Sequence, residues 1–473
     1  MSSVLPSVGA AALAPDARNA RNDRAFLGHP VGLGWLSFCE LWERFSYYGM
    51  QALLVLYLSN WLFKPENIGN VAGMDALRGV IEGVTGPRSP QQLASAVFGL
   101  YAGFVYLTPL FGGMVADRLL GRTKTIVIGA VLMALGHFLM AFEYSFLIAL
   151  LCLLLGVGCF KGNIAAQVGD LYAPGDTRRA SAFQIFMLAV QIAVIAAPIV
   201  CGTLGEKVAW HWGFGAAGVG MVIGLFVYLA GRKYLPPEPA RSVAAKEKRA
   251  PMSGREVAAI VLLVALLPVL MLSIVGNQQF NNAFPLWSEK NMDLVLFGWQ
   301  VPVTWLQAVD AFISTATMLL SIGFWKWWST RRQEPDELTK MAIGSLLAAG
   351  APALMVIAAG IAQHEKVSFV WTLGYTIVND LGFANILPVG LALYSRAAPR
   401  RMEGLLIGVY YLHLFAGNIF VGWLAGLLDV LPGQQFWGLH AVLVGAAGVL
   451  LLAAKMLFGR VLLPTAKDEA VAA

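Results

Sequence analysis

The segment ELWERFSYYG, residues 40–49, places three charged side chains in an otherwise apolar stretch of the chain. The runs VGLGWLSFC before it and MQALLVLYL after it make the whole stretch long enough to cross a bilayer, which takes about 20 residues. Glu40, Glu43 and Arg44 therefore interrupt a candidate transmembrane helix. Each charge at the centre of such a helix costs roughly 2.5–3.5 kcal/mol on insertion scales, so we expect these side chains to face water, one another or a ligand.

The composition of the whole chain is that of a polytopic membrane protein. Of 473 residues, 58% are hydrophobic and only 13% are charged, and the mean hydropathy is +0.68. A soluble globular chain has about 25% charged residues. Apolar windows of membrane-spanning length recur along the sequence. We predict an all-α protein with twelve transmembrane helices.

The lysines and arginines predict how these helices are oriented. If the loops alternate between the two sides, 25 of the 33 basic residues lie on the side of the N-terminal tail and 6 on the opposite side. Arg44 and Lys161 are the remaining two, and both fall inside spans. Because basic loops stay in the cytoplasm, both termini are expected there, and the expected location is the inner (plasma) membrane. The net charge of +6 follows from these loops and requires no nucleic-acid partner.

The longest cytoplasmic connection divides the chain into two halves. It reads GRKYLPPEPARSVAAKEKRAPMSGRE and is charged and proline-rich, which is typical of a linker. The predicted order is a cytoplasmic tail at 1–30, a six-helix bundle at 31–231, the linker at 232–255, a second six-helix bundle at 256–460 and a cytoplasmic tail at 461–473. No loop is long enough for a soluble catalytic domain, and no metal-ligand cluster or nucleophile–base pair is evident, so neither an enzyme nor a cofactor is expected.

A charged loop stands between the second and third spans. The sequence GGMVADRLLGRTK, residues 112–124, resembles the cytoplasmic signature loop of the major facilitator superfamily. Gly112 and Gly113 would allow close helix approach, and the charges would lock the two halves in one state and release them in the other. The alternative is a basic loop that only sets topology. The expected lock comprises Asp117, Arg118, Arg122 and Lys124.

The polar residues of the first span recur on one helical face. Glu40, Glu43, Arg44, Tyr47 and Tyr48 stand at i, i+3, i+4, i+7 and i+8. Glu40 can pair with Arg44 one turn later, whereas the adjacent Glu43 and Arg44 are not expected to pair. We expect this face to line a central cavity, and a purely structural ion pair is the alternative.

The pattern ExxERFxYYG resembles the first-helix signature of the proton-dependent oligopeptide transporter family, a branch of the major facilitator superfamily. The likeness continues in GCFKGNIAAQVGDLY, residues 158–172, which places Lys161 at the family's essential lysine. The segments GNQQFNNAFPLWSEKN, WLQAVDAF and GVYYLHLFAGN resemble the family's seventh, eighth and eleventh helices. The resemblance implies two halves that alternate access to a central site, where a di- or tripeptide binds and inward proton flow drives transport.

The side chains suit the roles that the resemblance implies. A short peptide is a zwitterion, so a dry cleft needs cations at one end and an anion at the other. Arg44 and Lys161 would supply the cations, and tyrosine hydroxyls would bond to the peptide. The expected substrate-binding residues are Arg44, Tyr47, Tyr48, Tyr106, Lys161, Gln191, Gln278, Asp310 and Tyr410. The expected proton-coupling residues are Glu40, Glu43, Arg44, Lys161, Asp310 and Asp380.

The chain departs from the family pattern at four positions. Gln278 stands where the family usually has a seventh-helix glutamate, and Asp310 stands where it has an eighth-helix asparagine. Phe383 replaces the tenth-helix glutamate, with Asp380 one turn earlier, and Gln191 replaces a fifth-helix asparagine. We expect Asp310 to take over the anionic role, pairing with Arg44 in the empty cavity or contacting the peptide ammonium. Alternatively, Asp310 lines a wet cavity without coupling, and Asp380 bonds to a neighbouring helix.

The sequence therefore predicts a proton-coupled symporter that imports di- and tripeptides. One alternative is a carrier of another small anionic or zwitterionic solute, which the changes at Asp310 and Phe383 favour. A substrate-sensing membrane receptor is the other, and the lack of a cytoplasmic output domain disfavours it. The expected partners are short peptides, protons and the lipid bilayer. We expect a monomer. The sequence does not specify the length of the peptide or the number of protons transported with it.

Overall fold

The computed structural model describes residues 23–173, 175–237, 252–296, 298–399 and 402–463, and these ranges are almost entirely helical. Most of the predicted N-terminal tail, linker and C-terminal tail lies outside the described residues. The two predicted six-helix bundles lie almost wholly inside them.

The first predicted bundle contains seven helices. They are α1 (Val31–Tyr57), α2 (Met74–Thr85), α3 (Pro90–Val115), α4 (Arg122–Leu139), α5 (Phe146–Asp170), α6 (Arg178–Lys207) and α7 (Trp210–Gly231). A single π-helical turn extends α1 over Leu58–Leu62 and α3 over Ala116–Leu120. Each of the six predicted spans in this part of the chain therefore coincides with one long helix.

The helices of the second predicted bundle are broken more often. They are α8 (Gly254–Ser273), α9 (Val275–Gln279), α10 (Ala283–Asn291), α11 (Trp305–Ser329), α12 (Glu337–Ala348), α13 (Gly350–Ile361), α14 (Val370–Phe383), α15 (Leu387–Ala397), α16 (Glu403–Ala425) and α17 (Gly433–Leu462). The seventh span is built from α8, α9 and α10, and the tenth is split into α14 and α15. Pro388 stands in the first turn of α15, where a backbone N–H has no partner within the helix, so the lack of one costs nothing. In the middle of a continuous helix the same proline would remove a hydrogen bond, which explains why the tenth span is divided here.

The described residues contain eleven helical segments that are long and apolar enough to cross a membrane. Helix α1 is 27 residues long, coincides with the first expected span and carries the three charges of the opening segment, which is consistent with twelve spans. Large apolar side chains are exposed along these helices, including Val442 (68% exposed) and Met456 (84%). Side chains of this kind suit lipid as their surroundings. The protein is an all-α polytopic membrane protein, as predicted.

The segment between the first and second spans contains the helix α2, which the hydropathy pattern did not predict. Met74 and Ile81 are buried on one face, whereas Val80 and Val84 are exposed on the other. A helix of 12 residues makes only about three turns, too few to appear as a membrane-spanning apolar window in the sequence. Two small strand pairs lie near the same end of the molecule: β1 (Met292–Asp293) pairs in parallel with β4 (Val367–Ser368), and β2 (Val295–Leu296) is antiparallel to β3 (Trp299–Gln300).

The largest helix contacts between the parts of the chain before and after the predicted linker are those of α3 with α16 and of α6 with α11. The first pair makes a very close crossing. A Cβ atom added to Gly99 would lie 2.6 Å from the carbonyl oxygen of Asn418 and 2.7 Å from the Cα of Gly422. Small residues at such a crossing let two backbones approach in a membrane.

Polar contacts also join the two halves at the end that the basic residues assign to the outside. We call this region the outer seam. Asn60 donates two hydrogen bonds to Glu289, at 2.8 and 2.9 Å, and Lys290 donates to Gln91 at 2.6 Å. The carboxylate of Glu206 accepts bonds from the start of α11. The halves are therefore held together at their outer ends.

The inner end is different. Its ion pairs join residues of the same half, as in Arg122 with Asp170, Lys455 with Asp336 and Arg396 with Glu337. Among the described residues, no ion pair crosses between the halves there. The expected charge lock of residues 112–124 is therefore not formed, because Arg122 contacts α5 of its own half. The described residues therefore hold the two halves together by polar contacts at one end, and no ion pair between the halves is formed at the other.

Candidate substrate cavity

The charges of α1 form a compact buried cluster. Glu43 is fully buried, and Arg44 and Glu40 are 4% and 5% exposed. Arg44 Nε lies 2.9 Å from Glu40 Oε1 and 2.5 Å from Glu43 Oε2, and Arg44 Nη2 donates to Glu43 Oε1 at 3.0 Å. One guanidinium therefore serves two carboxylates.

The expectation that Glu43 and Arg44 do not pair was wrong. Adjacent residues of a helix point about 100° apart, but the long arginine stem bends towards its neighbour, and the planar guanidinium presents several donors at once. The pairing of Arg44 with Glu40, one turn away, is present as expected.

A cavity of about 200 Å³ lies between the two halves. Its walls come from α1, α3, α5 and α6 of the first half, and from α9, α11, α14, α15 and α16 of the second. It brings together seven of the residues singled out in the sequence: Arg44, Tyr47, Tyr48, Tyr106, Lys161, Gln278 and Asp310. Residues separated by more than 260 positions thus share one small space.

The walls of the cavity carry opposite charges on its two sides. Arg44 and Lys161 come from the first half, and Asp310 comes from the second. Arg44 Cζ lies 5.5 Å from the ring centroid of Tyr47, and Lys161 Nζ lies 5.3 Å from that of Tyr106. The aromatic faces stabilise the cations while leaving their remaining N–H groups for other partners. The cavity is polarised along the direction that joins the two halves.

Asp310 and Lys161 are not paired with any described residue of opposite charge. Asp310 Oδ1 is buried and accepts no hydrogen bond from the described residues. The expected pair of Asp310 with Arg44 is absent, because Glu40 and Glu43 already engage the guanidinium. Both wall charges are available to a ligand.

A second carboxylate lies behind Asp310. Asp380 is 3% exposed and accepts a hydrogen bond from Asn379 at 2.9 Å, whereas its Oδ2 accepts none from the described residues. Asp380 and Asp310 interact electrostatically. This side of the cavity therefore carries two carboxylates with buried oxygen atoms, and neither forms an ion pair with a described residue.

Two expected substrate-binding residues stand outside the lining of the cavity. The hydroxyl of Tyr410 donates to the carbonyl of Leu387 at 2.7 Å, and the amide of Gln191 donates to Thr315 across the two halves. In this conformation, Tyr410 supports a wall residue and Gln191 joins α6 to α11. Glu40 and Glu43 do not line the cavity, but both contact Arg44, which does.

Four amides that line the cavity were not predicted from the sequence: Gln51, Asn277, Asn281 and Gln307. A helical-spacing signal was present for each of them. Gln51 continues the polar stripe of α1 three residues after Tyr48, and Gln307 stands three residues before Asp310. Asn277 and Asn281 are four residues apart. Extending the stripe of α1 by one turn would have identified Gln51, and the same helical spacing applied to the seventh and eighth spans would have identified the other three.

The fold and the cavity define a polytopic membrane transporter with a central, polar binding site. The chain belongs to the POT family, whose model matches residues 123–252 and 238–438, and the resemblance given by its motifs is confirmed. It is 29% identical to the peptide transporter YePEPT of Yersinia enterocolitica, over 92% of this chain and 96% of that protein. It is 26% identical to a di-/tripeptide transporter of Lactococcus lactis, over 92% and 97% of the two chains. A solved structure of the peptide transporter POT in complex with sulfate has a TM-score of 0.80 at 24% identity, over 94% and 98% of the two chains.

Proposed function

We propose that this protein is a proton-coupled symporter that imports di- and tripeptides by alternating access. The observation that carries the proposal is the cavity between the halves, with two cations on one wall and an unpaired carboxylate on the other. Its volume of about 200 Å³ is below the 300–1,000 Å³ of typical drug-sized sites. A short zwitterion matches both the size and the polarity of this space.

The charges of the cavity assign an orientation to the peptide. Its carboxylate would bind Lys161 and Arg44, because charge-assisted bonds to ammonium and guanidinium groups are the strongest available there. Its ammonium would face Asp310. Tyr48 and Tyr106 would bond to the backbone of the peptide, and the remaining walls would tolerate varied side chains.

Competition for Arg44 would couple the peptide to a proton. A peptide carboxylate that binds Arg44 takes donors away from Glu40 or Glu43. A buried carboxylate that loses its cation is strongly destabilised unless it binds a proton. Peptide binding would therefore favour proton uptake on the glutamates, with Asp310 and Asp380 as a second proton-binding pair.

The wider arrangement belongs to the same proposal. The two bundles, 31–231 and 256–460, would rock about the crossings of α3 with α16 and of α6 with α11. Both termini would be cytoplasmic, the protein would lie in the inner membrane, and a monomer would suffice because the cavity is complete within one chain.

Uptake of labelled dialanine into liposomes tests this proposal. Purified protein and its Asp310→Asn variant would be compared with and without an inward proton gradient. Accumulation that requires the gradient and is lost in Asp310→Asn would support symport with Asp310 in the coupling path. Gradient-dependent uptake that survives in the variant would move coupling to Glu40 or Glu43.

A carrier for another small zwitterion or anion is the second candidate, because Asp310 and Phe383 change the ammonium end of the site. Failure of every di- and tripeptide to bind or accumulate, together with uptake of a different zwitterion, would establish it. Saturable binding of a solute without any accumulation would instead indicate a receptor.

A further inference from the structure

Glu206, in the last turn of α6, makes the most extensive polar contact across the outer seam. Its carboxylate accepts hydrogen bonds from the backbone N–H groups of Val303 and Thr304, at 2.8 and 2.9 Å, and from the Thr304 hydroxyl at 2.7 Å. Thr304 directly precedes α11. A carboxylate of one half therefore caps the positive end of a 25-residue helix of the other half.

The residues around Glu206 also pack closely against the start of α11. The indole of Trp305 donates to the Thr203 hydroxyl at 2.9 Å, one turn before Glu206 on the same helix. A Cβ atom added to Gly202 would lie 2.6 Å from the Cβ of Thr304. Because α6 and α11 are in direct contact here, separating the outer ends of the halves requires breaking the bonds of Glu206.

The donors to the seam carboxylates are uncharged. Glu206 accepts from two backbone amides and a hydroxyl, Glu289 accepts from the Asn60 amide, and Asp429 accepts from the Ser89 hydroxyl. Ionised acceptors form hydrogen bonds roughly twice as strong as neutral ones. Proton binding would weaken such contacts without leaving a buried cation unpaired.

The charged groups near Glu206 do not neutralise it. Glu289, on α10, interacts electrostatically with Glu206 and carries the same charge. Lys207, the next residue of α6, faces the ring of Trp299 at 5.5 Å, and Lys290 donates to Gln91. His211, at the start of α7, lies beside its neighbour Trp212 with the two rings tilted at 38°, and the π-helical turn that ends α1, Leu58–Leu62, has no charged residue. Glu206 is half-buried and lies at the end of the molecule assigned to the outside.

We propose that Glu206 is a proton-binding gate residue: the ionised carboxylate caps α11 and holds the outer seam closed, and its protonation from the outer side releases α11 and lets the seam open. This inference rests on the outward orientation and the alternating access proposed above. It adds a proton-sensitive step that is separate from the carboxylates of the central cavity.

A distance measurement across the seam tests this role without any substrate. Spin labels at His211→Cys and Glu365→Cys, in a background with the four native cysteines changed to alanine, would report the separation of the outer ends in lipid nanodiscs. Acidification should add a long-distance component. Glu206→Gln should show that component already at neutral pH, with an open-to-closed ratio about tenfold higher than that of the parent, and should lose the pH dependence.

Two further variants complete the test. Glu66→Gln removes a carboxylate from an exposed residue of the same outer side and should leave the distances as in the parent. Thr304→Val deletes one donor but keeps the carboxylate, so it should raise the open fraction while preserving the pH dependence; it also serves if Glu206→Gln fails to fold.

Either of two results would overturn the proposal: distances that do not respond to pH in the parent, or a pH response that persists in Glu206→Gln and disappears in Asp310→Asn. Because no peptide and no gradient are present, the result does not depend on whether the transported solute is a peptide. Failure of the gate and failure of the peptide assignment can thus be told apart.

Discussion

The guanidinium of Arg44 lies 2.5 Å from the carboxylate of Glu43, the residue directly before it in α1. The same guanidinium holds Glu40 at 2.9 Å and also lines the cavity. Any anionic ligand that reaches Arg44 must therefore compete with two carboxylates that have no other cation at bonding distance among the described residues. This competition is the basis of the first prediction.

Glu43→Gln should uncouple transport from the proton gradient. An amide needs no proton when Arg44 turns to the ligand, so gradient-driven accumulation should disappear while peptide counterflow across equal pH persists. Uptake with and without the gradient, alongside counterflow, measures both properties. Glu40→Gln is the matched variant one turn away. If both single variants still accumulate peptide at the parent level, the glutamates are not the coupling site.

Lys161→Ala should weaken peptide binding. Hydrogen bonds to charged groups contribute about 1.5–3 kcal/mol, so the dissociation constant should rise roughly 10- to 150-fold. Isothermal titration with dialanine measures this change. Lys161→Arg keeps the positive charge and should retain most of the affinity. Equal affinity in parent and alanine variant would remove Lys161 from the site.

Gly99→Val should prevent full closure of the outer seam. The new side chain would collide with the backbone of α16, where even a Cβ atom comes within 2.6 Å of Asn418. We expect a shift towards an outward-open state, seen as increased labelling of cysteines introduced along the seam, and a large loss of transport. Gly113→Val is the control on the same helix. Gly113 was expected at a close helix approach, but a Cβ atom there meets nothing within 4 Å. Labelling at the wild-type level in Gly99→Val would show that the crossing accommodates a larger side chain, and would contradict this prediction.

Asp336 should make stability depend on pH at the inner face. Its carboxylate caps α12 by accepting from the Thr339 N–H at 2.9 Å, and it pairs with Lys455 at 2.9 Å. Partial burial opposes ionisation, but the bonds from Thr339 and Lys455 outweigh it and hold the pKa of Asp336 below its usual value. A lowered folded-state pKa stabilises the protein above the unfolded-state pKa, and this contribution is lost as pH falls through the folded-state pKa.

Asp336→Ala should therefore lower the free energy of unfolding by about 1 kcal/mol at neutral pH, and the difference from the parent should shrink in strong acid. Thermal unfolding in detergent as a function of pH measures the difference. Glu365→Ala, at an exposed position on the other face, should be neutral at every pH. A constant difference between Asp336→Ala and the parent would contradict the assignment to ionisation.

The long helices and the heart of the cavity could be predicted from the sequence because the membrane restricts the choices. Backbone polar groups in lipid must bond within a helix, and charges must turn towards protein or water. These two constraints predicted that the charges of α1 and Lys161 face away from lipid, and the resemblance of the motifs to the family added Asp310 to the same cavity.

What could not be predicted depends on side-chain conformation and on contacts between distant segments. The pairing of Glu43 with Arg44 arises from a bent arginine stem, which helical spacing does not encode. Glu206 appeared in the sequence as one acidic residue at the end of a span. Its role in the outer seam depends on the hydrogen bonds from Thr304, which lies almost a hundred residues later in the chain.

The glycine crossing of α3 and α16 has a consequence for energy conservation in the cell. Gly99 and Gly422 meet so closely that the two backbones leave no space for a side chain between them. In the alternating-access cycle proposed above, such a contact would act as a pivot, so that widening at one end of the molecule would accompany narrowing at the other. A continuous pore would dissipate the ion gradient on which an energised membrane depends. Two hydrogen atoms in place of two side chains would thus help to keep the membrane sealed through the proposed cycle.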